Sequence, residues 1–94
     1  MTPVTVIGLE EPLDPSWTQA RSPAEAERHV AAGRTVVVTL EGDEPTQLAT
    51  ASVYAWLGAR VFRTSHGAQV RTALDMVESL AGRRPPTLTR RGLA

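Results

Sequence analysis

The sequence predicts an α/β fold of three βα units around a small parallel sheet. Three observations predict it. Short β-branched runs alternate with longer segments of helical period. The clearest run, Thr35-Val36-Val37-Val38-Thr39-Leu40, is apolar without alternation, as in a parallel strand covered on both faces. Each helical segment is followed by a glycine, at positions 33, 58 and 82, where a C′ glycine ends a helix. The order βαβαβα implies parallel strands joined by right-handed crossovers.

The first strand is expected over residues 4–9, between prolines 3 and 12. A loop with Glu10, Glu11, Asp14 and Pro15 follows. Ser22-Pro23-Ala24-Glu25 then has the spacing of a capping box, with proline at the first helical position. Gly33 closes that helix, and the strand at 35–40 comes next. Gly42-Asp43-Glu44-Pro45 turns the chain into a second helix, placed at about Thr46 to Leu57, whose positive end acidic residues favour. This helix is apolar on most sides and must therefore be buried on most sides. A chain of 94 residues arranges that with difficulty alone, so contact with another subunit is expected, with Tyr54 and Trp56 at the interface. The third strand is expected over residues 60–65 and the third helix over Gly67 to Ala81. The apolar set of that helix is Val70, Ala73, Leu74, Val77 and Ala81. Arg71 and Asp75 sit one turn apart on its other side, placed to pair.

One domain is expected over residues 1–82, with a flexible basic tail over 83–94 that holds Arg83, Arg84, Arg90 and Arg91. Three strands leave both sheet edges open, which proteins normally avoid, and this again points to an oligomer. Apolar residues make up 41% and charged residues 21% of the chain, the usage of a globular protein. No apolar run has the length of a membrane span, and no basic region precedes an apolar one at the N-terminus. There is no cysteine, hence no disulfide or thiolate chemistry, and a cytoplasmic location is the expectation. All ten basic residues are arginine, so no lysine is available for a Schiff base or a phosphate contact. Net charge is zero but divided: residues 1–50 hold three arginines against eight carboxylates, and the remainder holds seven arginines against Asp75 and Glu78. The imbalance suits steering of an anion or head-to-tail association, and uneven surface charge alone also accounts for it. The tail lacks aromatic interleaving or any recognisable nucleic-acid module, so neither a nucleic acid nor a membrane is an expected partner.

The third unit carries the candidate chemistry. In parallel α/β folds, ligands bind at the carboxyl ends of strands, where a helix N-terminus offers free N–H groups. Arg63, Ser65, His66 and Gly67 lie at such a junction and together suit a phosphate or carboxylate. The alternative is structural: Ser65 caps the helix, His66 is a solvated turn residue and Arg63 pairs with a carboxylate. Asp14, Glu41, Asp43 and Glu44 are a weaker candidate for a hard cation, and solvated loops explain them more simply. His29 reads as a helix-side histidine. No phosphate loop, zinc signature or Ser-His-Asp spacing is present.

From Thr35 onward the chain resembles the C-terminal end of dihydropteroate synthases. The residues that carry the resemblance are the alanine-rich helix from Leu48 to Leu57, Gly58-Ala59-Arg60, the strand Val61-Phe62-Arg63, Thr64-Ser65-His66-Gly67, and Arg71-Thr72-Ala73-Leu74. It implies part of a (β/α)8 barrel, completed by oligomerisation, and puts Arg63 on the family's anion-binding arginine. The family condenses a pterin pyrophosphate with p-aminobenzoate using magnesium. Its histidine two places after that arginine is Ser65 here, its aspartate is His66, and its pterin-contacting lysine, due near Thr39 to Gly42, has no counterpart. A complete barrel needs about 200 residues or more. The resemblance therefore implies a homo-oligomeric, non-catalytic protein that binds a phosphate or pterin-type ligand or regulates a partner, with no cofactor or metal of its own. An interaction module without a small ligand is the alternative, and an enzyme whose site is completed between subunits is a third reading.

Overall fold

The computed structural model describes residues 3–82, so the expected basic tail lies outside the described residues. Its elements are β1 (Thr5–Ile7), β2 (Thr18–Gln19), α1 (Pro23–Ala31), β3 (Val36–Thr39), α2 (Glu44–Leu57), β4 (Val61–Arg63) and α3 (Gly67–Leu80). All strand pairs are parallel, in the order β1-β4-β3-β2. The α/β architecture is that of a partial βα barrel, but the sheet has four strands where three were expected.

The additional strand, β2, has no apolar run to announce it. Main-chain pairing makes it: the Thr18 amide donates to the Thr35 carbonyl at 2.8 Å and the Ala20 amide to the Val37 carbonyl at 3.1 Å. The edges, β1 and β2, are three and two residues long. Such short edges offer little main chain for unwanted pairing, which removes the open-edge argument for an oligomer. β1 does not neighbour the next strand in sequence. It lies beside β4, with Thr5, Val6 and Ile7 opposite Val61, Phe62 and Arg63. The sheet stays open, since β1 and β2 at its two edges do not pair with each other.

The helices follow their sequence signals. Ser22 Oγ accepts from the Glu25 amide at 3.2 Å, while Glu25 Oε1 accepts from the Arg21 amide, one residue earlier than a standard box. Asp43 caps α2 by accepting from the Thr46 amide at 3.0 Å. Gly58 ends α2 at φ 109, a left-handed conformation that side chains resist. A Cβ there would also stand 2.9 Å from Val30 Cγ1, so the glycine lets α1 approach the end of α2. Arg71 does not pair with Asp75. Its guanidinium donates to the Val4 carbonyl at 3.1 Å, because an exposed pair one turn apart gains only a few tenths of a kcal/mol.

Buried residues of all three helices, Ala26, Ala51, Tyr54, Ala55, Val70 and Leu74, join one core with Val36, Val38, Leu40 and Phe62. Strand alternation puts Val37 and Val61, which are paired neighbours, on the opposite face. They are nevertheless only 1% and 2% exposed. Since β1 and β2 occupy opposite edges, residues 8–17 must cross the sheet, and from that connection Leu13 and Trp17 are half-buried. Arg60, at the start of β4, makes a two-pronged ion pair with Glu78 of α3, both contacts at 2.8 Å. The pair ties the last strand to the far end of the last helix.

Candidate functional site

At the carboxyl ends of β3 and β4 a cleft of about 450 Å³ opens between Leu9, Thr39, Leu40, Glu41, Gly42, Gln47, Arg63 and Ser65. The register places Thr39 and Arg63 side by side, on the face away from the helices. Arg63 is half-buried. It donates through Nε to the Leu9 carbonyl at 2.9 Å, and Nη2 donates to the same oxygen. Among the described residues it makes no ion pair, which sets aside the reading that a carboxylate claims it. A single carbonyl uses part of a guanidinium fork of five N–H donors.

The chain beyond Arg63 is held by a buried polar network that the sequence reading missed. Gln47 is 2% exposed and Thr64 3%. The Thr64 hydroxyl donates to Gln47 Oε1 at 2.5 Å and accepts from the His66 amide at 2.9 Å. Gln47 Nε2 donates to the Gly42 carbonyl at 2.9 Å and to Ser65 Oγ at 3.3 Å. One side chain of α2 thus ties the turn after β3 to the turn after β4. A signal was present: Gln47, Ala51, Tyr54 and Ala55 form the buried stripe of α2 at helical spacing, and Gln47 is its one amide.

Of the four anion-site candidates, Arg63 and Ser65 line this cleft and His66 and Gly67 do not. Neither Ser65 nor His66 caps α3. His66 holds the N-cap position with no capping side-chain bond, and Thr64 makes the local hydrogen bond instead. The first-turn amides of α3 are therefore left without a side-chain acceptor, at the positive end of a 14-residue helix. Gly67 stands close to β1, since a Cβ there would be 3.9 Å from Val6 Cγ1.

Thr39 and Glu41 also form a wall of a second cleft of about 440 Å³, lined besides by Ala20, Arg21, Val38, Thr50 and Tyr54. Tyr54, expected at a subunit interface, is 7% exposed and belongs to the core. Burial, and to a lesser degree the charge of Glu25, push its phenol above the ordinary range, so it stays a neutral donor. Trp56 is on the surface, at 58% exposure. The hydrogen bonds from Thr46 hold the Asp43 carboxyl below the usual range, with a smaller pull from His66. Asp14 is lowered likewise by Ser16, whose hydroxyl and amide donate to it at 2.7 and 2.8 Å. Among the described residues no three His, Cys, Asp or Glu side chains gather to hold a metal. The acidic loop candidates Asp14, Glu41, Asp43 and Glu44 are therefore not gathered into one cluster.

A parallel α/β layer with clefts at the carboxyl ends of its strands is the arrangement of a partial βα barrel. Comparison with known proteins gives that class a relative. The chain is similar to the inactive dihydropteroate synthase 2 of Mycobacterium tuberculosis and of Mycobacterium bovis, each 45% identical over 62 residues, which are 66% of this chain and 20% of the relative. The protein of that name from Mycobacterium leprae is 42% identical over 62 residues, 21% of its length. This chain is thus dihydropteroate-synthase-like and spans about a fifth of the length of the curated relatives it matches. A match of 62 residues is longer than the stretch from Thr35 to Ala94, so the similarity reaches ahead of Thr35, where the sequence reading found none. No family model and no solved structure matches the chain. No helix among the described residues is long and apolar enough to cross a membrane.

Proposed function

We propose that this chain is a non-catalytic, cytoplasmic dihydropteroate-synthase-like protein that binds an anionic group, of the phosphate or pterin phosphate type, at the carboxyl end of β4. The observation that carries the reading is Arg63. Its guanidinium lines an open cleft, is engaged only by a backbone carbonyl, and has no carboxylate partner among the described residues. A charge-assisted, two-pronged contact with a phosphate oxygen pair is the strongest interaction such a group can make. Ser65 Oγ supplies a hydroxyl in the same cleft, while the uncapped first turn of α3, at His66 and Gly67, adds amides and positive potential nearby.

Absence of catalysis is supported by the curated relatives, whose own name is inactive dihydropteroate synthase 2, and by the chain's own residues. The chain has no lysine to take the place of the family's pterin-contacting one. What remains is a place that binds and orients an anion, with no general base in the cleft except Glu41, which is exposed.

Calorimetric titration with inorganic phosphate, pyrophosphate and a pterin phosphate tests the reading. Binding is expected for the wild-type chain and loss of at least about tenfold in affinity for Arg63→Ala. No heat with any of the three, or an Arg63→Ala variant that binds as well as wild type, ends the proposal. Condensation of a pterin pyrophosphate with p-aminobenzoate above the uncatalysed rate would overturn its non-catalytic part.

A further inference from the structure

The second cleft, at the carboxyl ends of β2 and β3, is built with α2 and the start of α1, on the helix side of the sheet. Arg63 is not among its walls. Its volume of about 440 Å³ is that of a small-ligand site. Two charges line it, the Arg21 guanidinium and the Glu41 carboxylate. Neither side chain makes a hydrogen bond or an ion pair among the described residues, with each other or with any other group. Three hydroxyls line it as well. Tyr54 is 93% buried, since its exposure is 7%, yet its hydroxyl has no partner among the described residues. Buried hydroxyls are bonded to protein or to a small molecule in nearly every fold. The charge of Glu25 reaches this phenol, which puts its polar end toward the start of α1, where Arg21 stands. Thr50 is the second case. Helix hydroxyls commonly return to the carbonyl four residues back, and Ser52 and Thr72 do so at 2.8 and 3.2 Å. Thr50 makes no such bond and lines the cleft. The Thr39 hydroxyl is free in the same way.

We propose that this cleft binds a free α-amino acid as its zwitterion, with the carboxylate on the Arg21 guanidinium, the ammonium on the Glu41 carboxylate and a polar side chain against the hydroxyls of Tyr54 and Thr50. The two unpaired charges select the ligand class. A simple anion would gain Arg21 but be repelled by Glu41, and a simple cation would meet the reverse. A compact molecule that carries both signs satisfies both, through charge-assisted hydrogen bonds. An aromatic amine is uncharged at neutral pH and would leave the Glu41 charge unmet. The hydroxyls select the side chain. Burial keeps the Tyr54 phenol neutral, so it donates, and a ligand hydroxyl or amide oxygen can accept from it. An apolar ligand side chain would leave that donor stranded, which is the stronger form of discrimination. This inference does not rest on the anion-site reading, because the groups that would hold phosphate and those that would hold the amino acid are different side chains.

Calorimetry and amide-shift titration of the full chain with L-serine, L-threonine and L-asparagine test it. Binding of at least one is expected, with a Kd between about 10 µM and 1 mM. The N-acetyl derivative and the methyl ester of that amino acid each lack one charge, and each should bind at least about tenfold more weakly. Arg21→Gln and Glu41→Gln, both at exposed positions, should each cost at least about tenfold in affinity without changing far-ultraviolet circular dichroism. Tyr54→Phe should weaken binding about threefold or more and leave the melting temperature unlowered, because no group of the fold bonds its hydroxyl. A lower melting temperature for Tyr54→Phe would overturn the contact assigned to that hydroxyl. No heat and no amide shift with any of the three amino acids at about 10 mM overturns the proposal. So does binding that both Arg21→Gln and Glu41→Gln leave unchanged, or an N-acetyl derivative that binds as tightly as the free amino acid. A failure of phosphate to bind tells against Arg63 alone and is read in a separate titration.

Discussion

Replacing Gln47 by leucine removes a buried side chain's polar atoms while keeping its bulk. In the wild-type fold those atoms accept from the Thr64 hydroxyl at 2.5 Å and donate to the Gly42 carbonyl at 2.9 Å and Ser65 Oγ at 3.3 Å. Ser65 is exposed and finds water again, so its loss is small. Thr64 is 3% exposed and its hydroxyl keeps only the His66 amide as a partner. A buried polar group left unmatched costs about 1–3 kcal/mol, and the Gly42 carbonyl adds a fraction because its residue is exposed. The apolar gain of leucine offsets part of this. The expected net loss is about 2 kcal/mol, which lowers the melting temperature by roughly 8–16 °C in a domain of this size. Urea denaturation of Gln47→Leu, Thr64→Val and the double variant measures it as a thermodynamic cycle. Because each single change strands the other residue's polar atom, the double variant should be less destabilised than the sum by about 1 kcal/mol or more. Additive effects within about 0.3 kcal/mol would mean that the two side chains do not act together, and the account of how α2 positions the Ser65 turn would be wrong.

Two further outcomes follow from the same reasoning. Gly58→Ala sets a side chain at φ 109 and 2.9 Å from Val30 Cγ1. It should destabilise the fold by about 1–3 kcal/mol, and Val30→Ala in the same chain should recover the steric part but not the backbone part. On acidification, the lowered Asp43 carboxyl contributes stability that is complete above its unfolded value of 3.8 and is lost as pH falls through its folded value. Thermal melts should therefore weaken below about pH 4, and Asp43→Asn, which can still cap, should flatten that part of the profile. An unchanged profile would show that the cap is not what titrates.

Much of the candidate site was legible in the sequence. Arg63 and Ser65 sit where a strand meets a helix, and in a parallel layer that junction opens to solvent. Helix limits were legible for a local reason: the Ser22 and Asp43 caps and the Gly58 stop act within four residues of where they stand. Gln47 was hidden because a polar residue on a buried stripe has meaning only once its partners are known, and Thr64 is distant in sequence. Tyr54 and Trp56, two residues apart, looked alike as apolar helix positions. The direction in which the core lay separated them, burying one and leaving the other on the surface.

Alternation of strand and helix, the caps and the apolar run at Val36–Val38 are properties of neighbours along the chain, so the sequence alone settles the class of fold and the end of the sheet at which the cleft beside Arg63 opens. Neighbours across the sheet are another matter. That β1 lies beside β4, that two polar residues at Thr18–Gln19 become a strand, and that Arg63 meets the Leu9 carbonyl are decided by which main-chain groups come within reach once the layers pack. Backbone N–H and C=O groups are the same in every residue but proline, and pairings made by them leave no mark on the side-chain pattern.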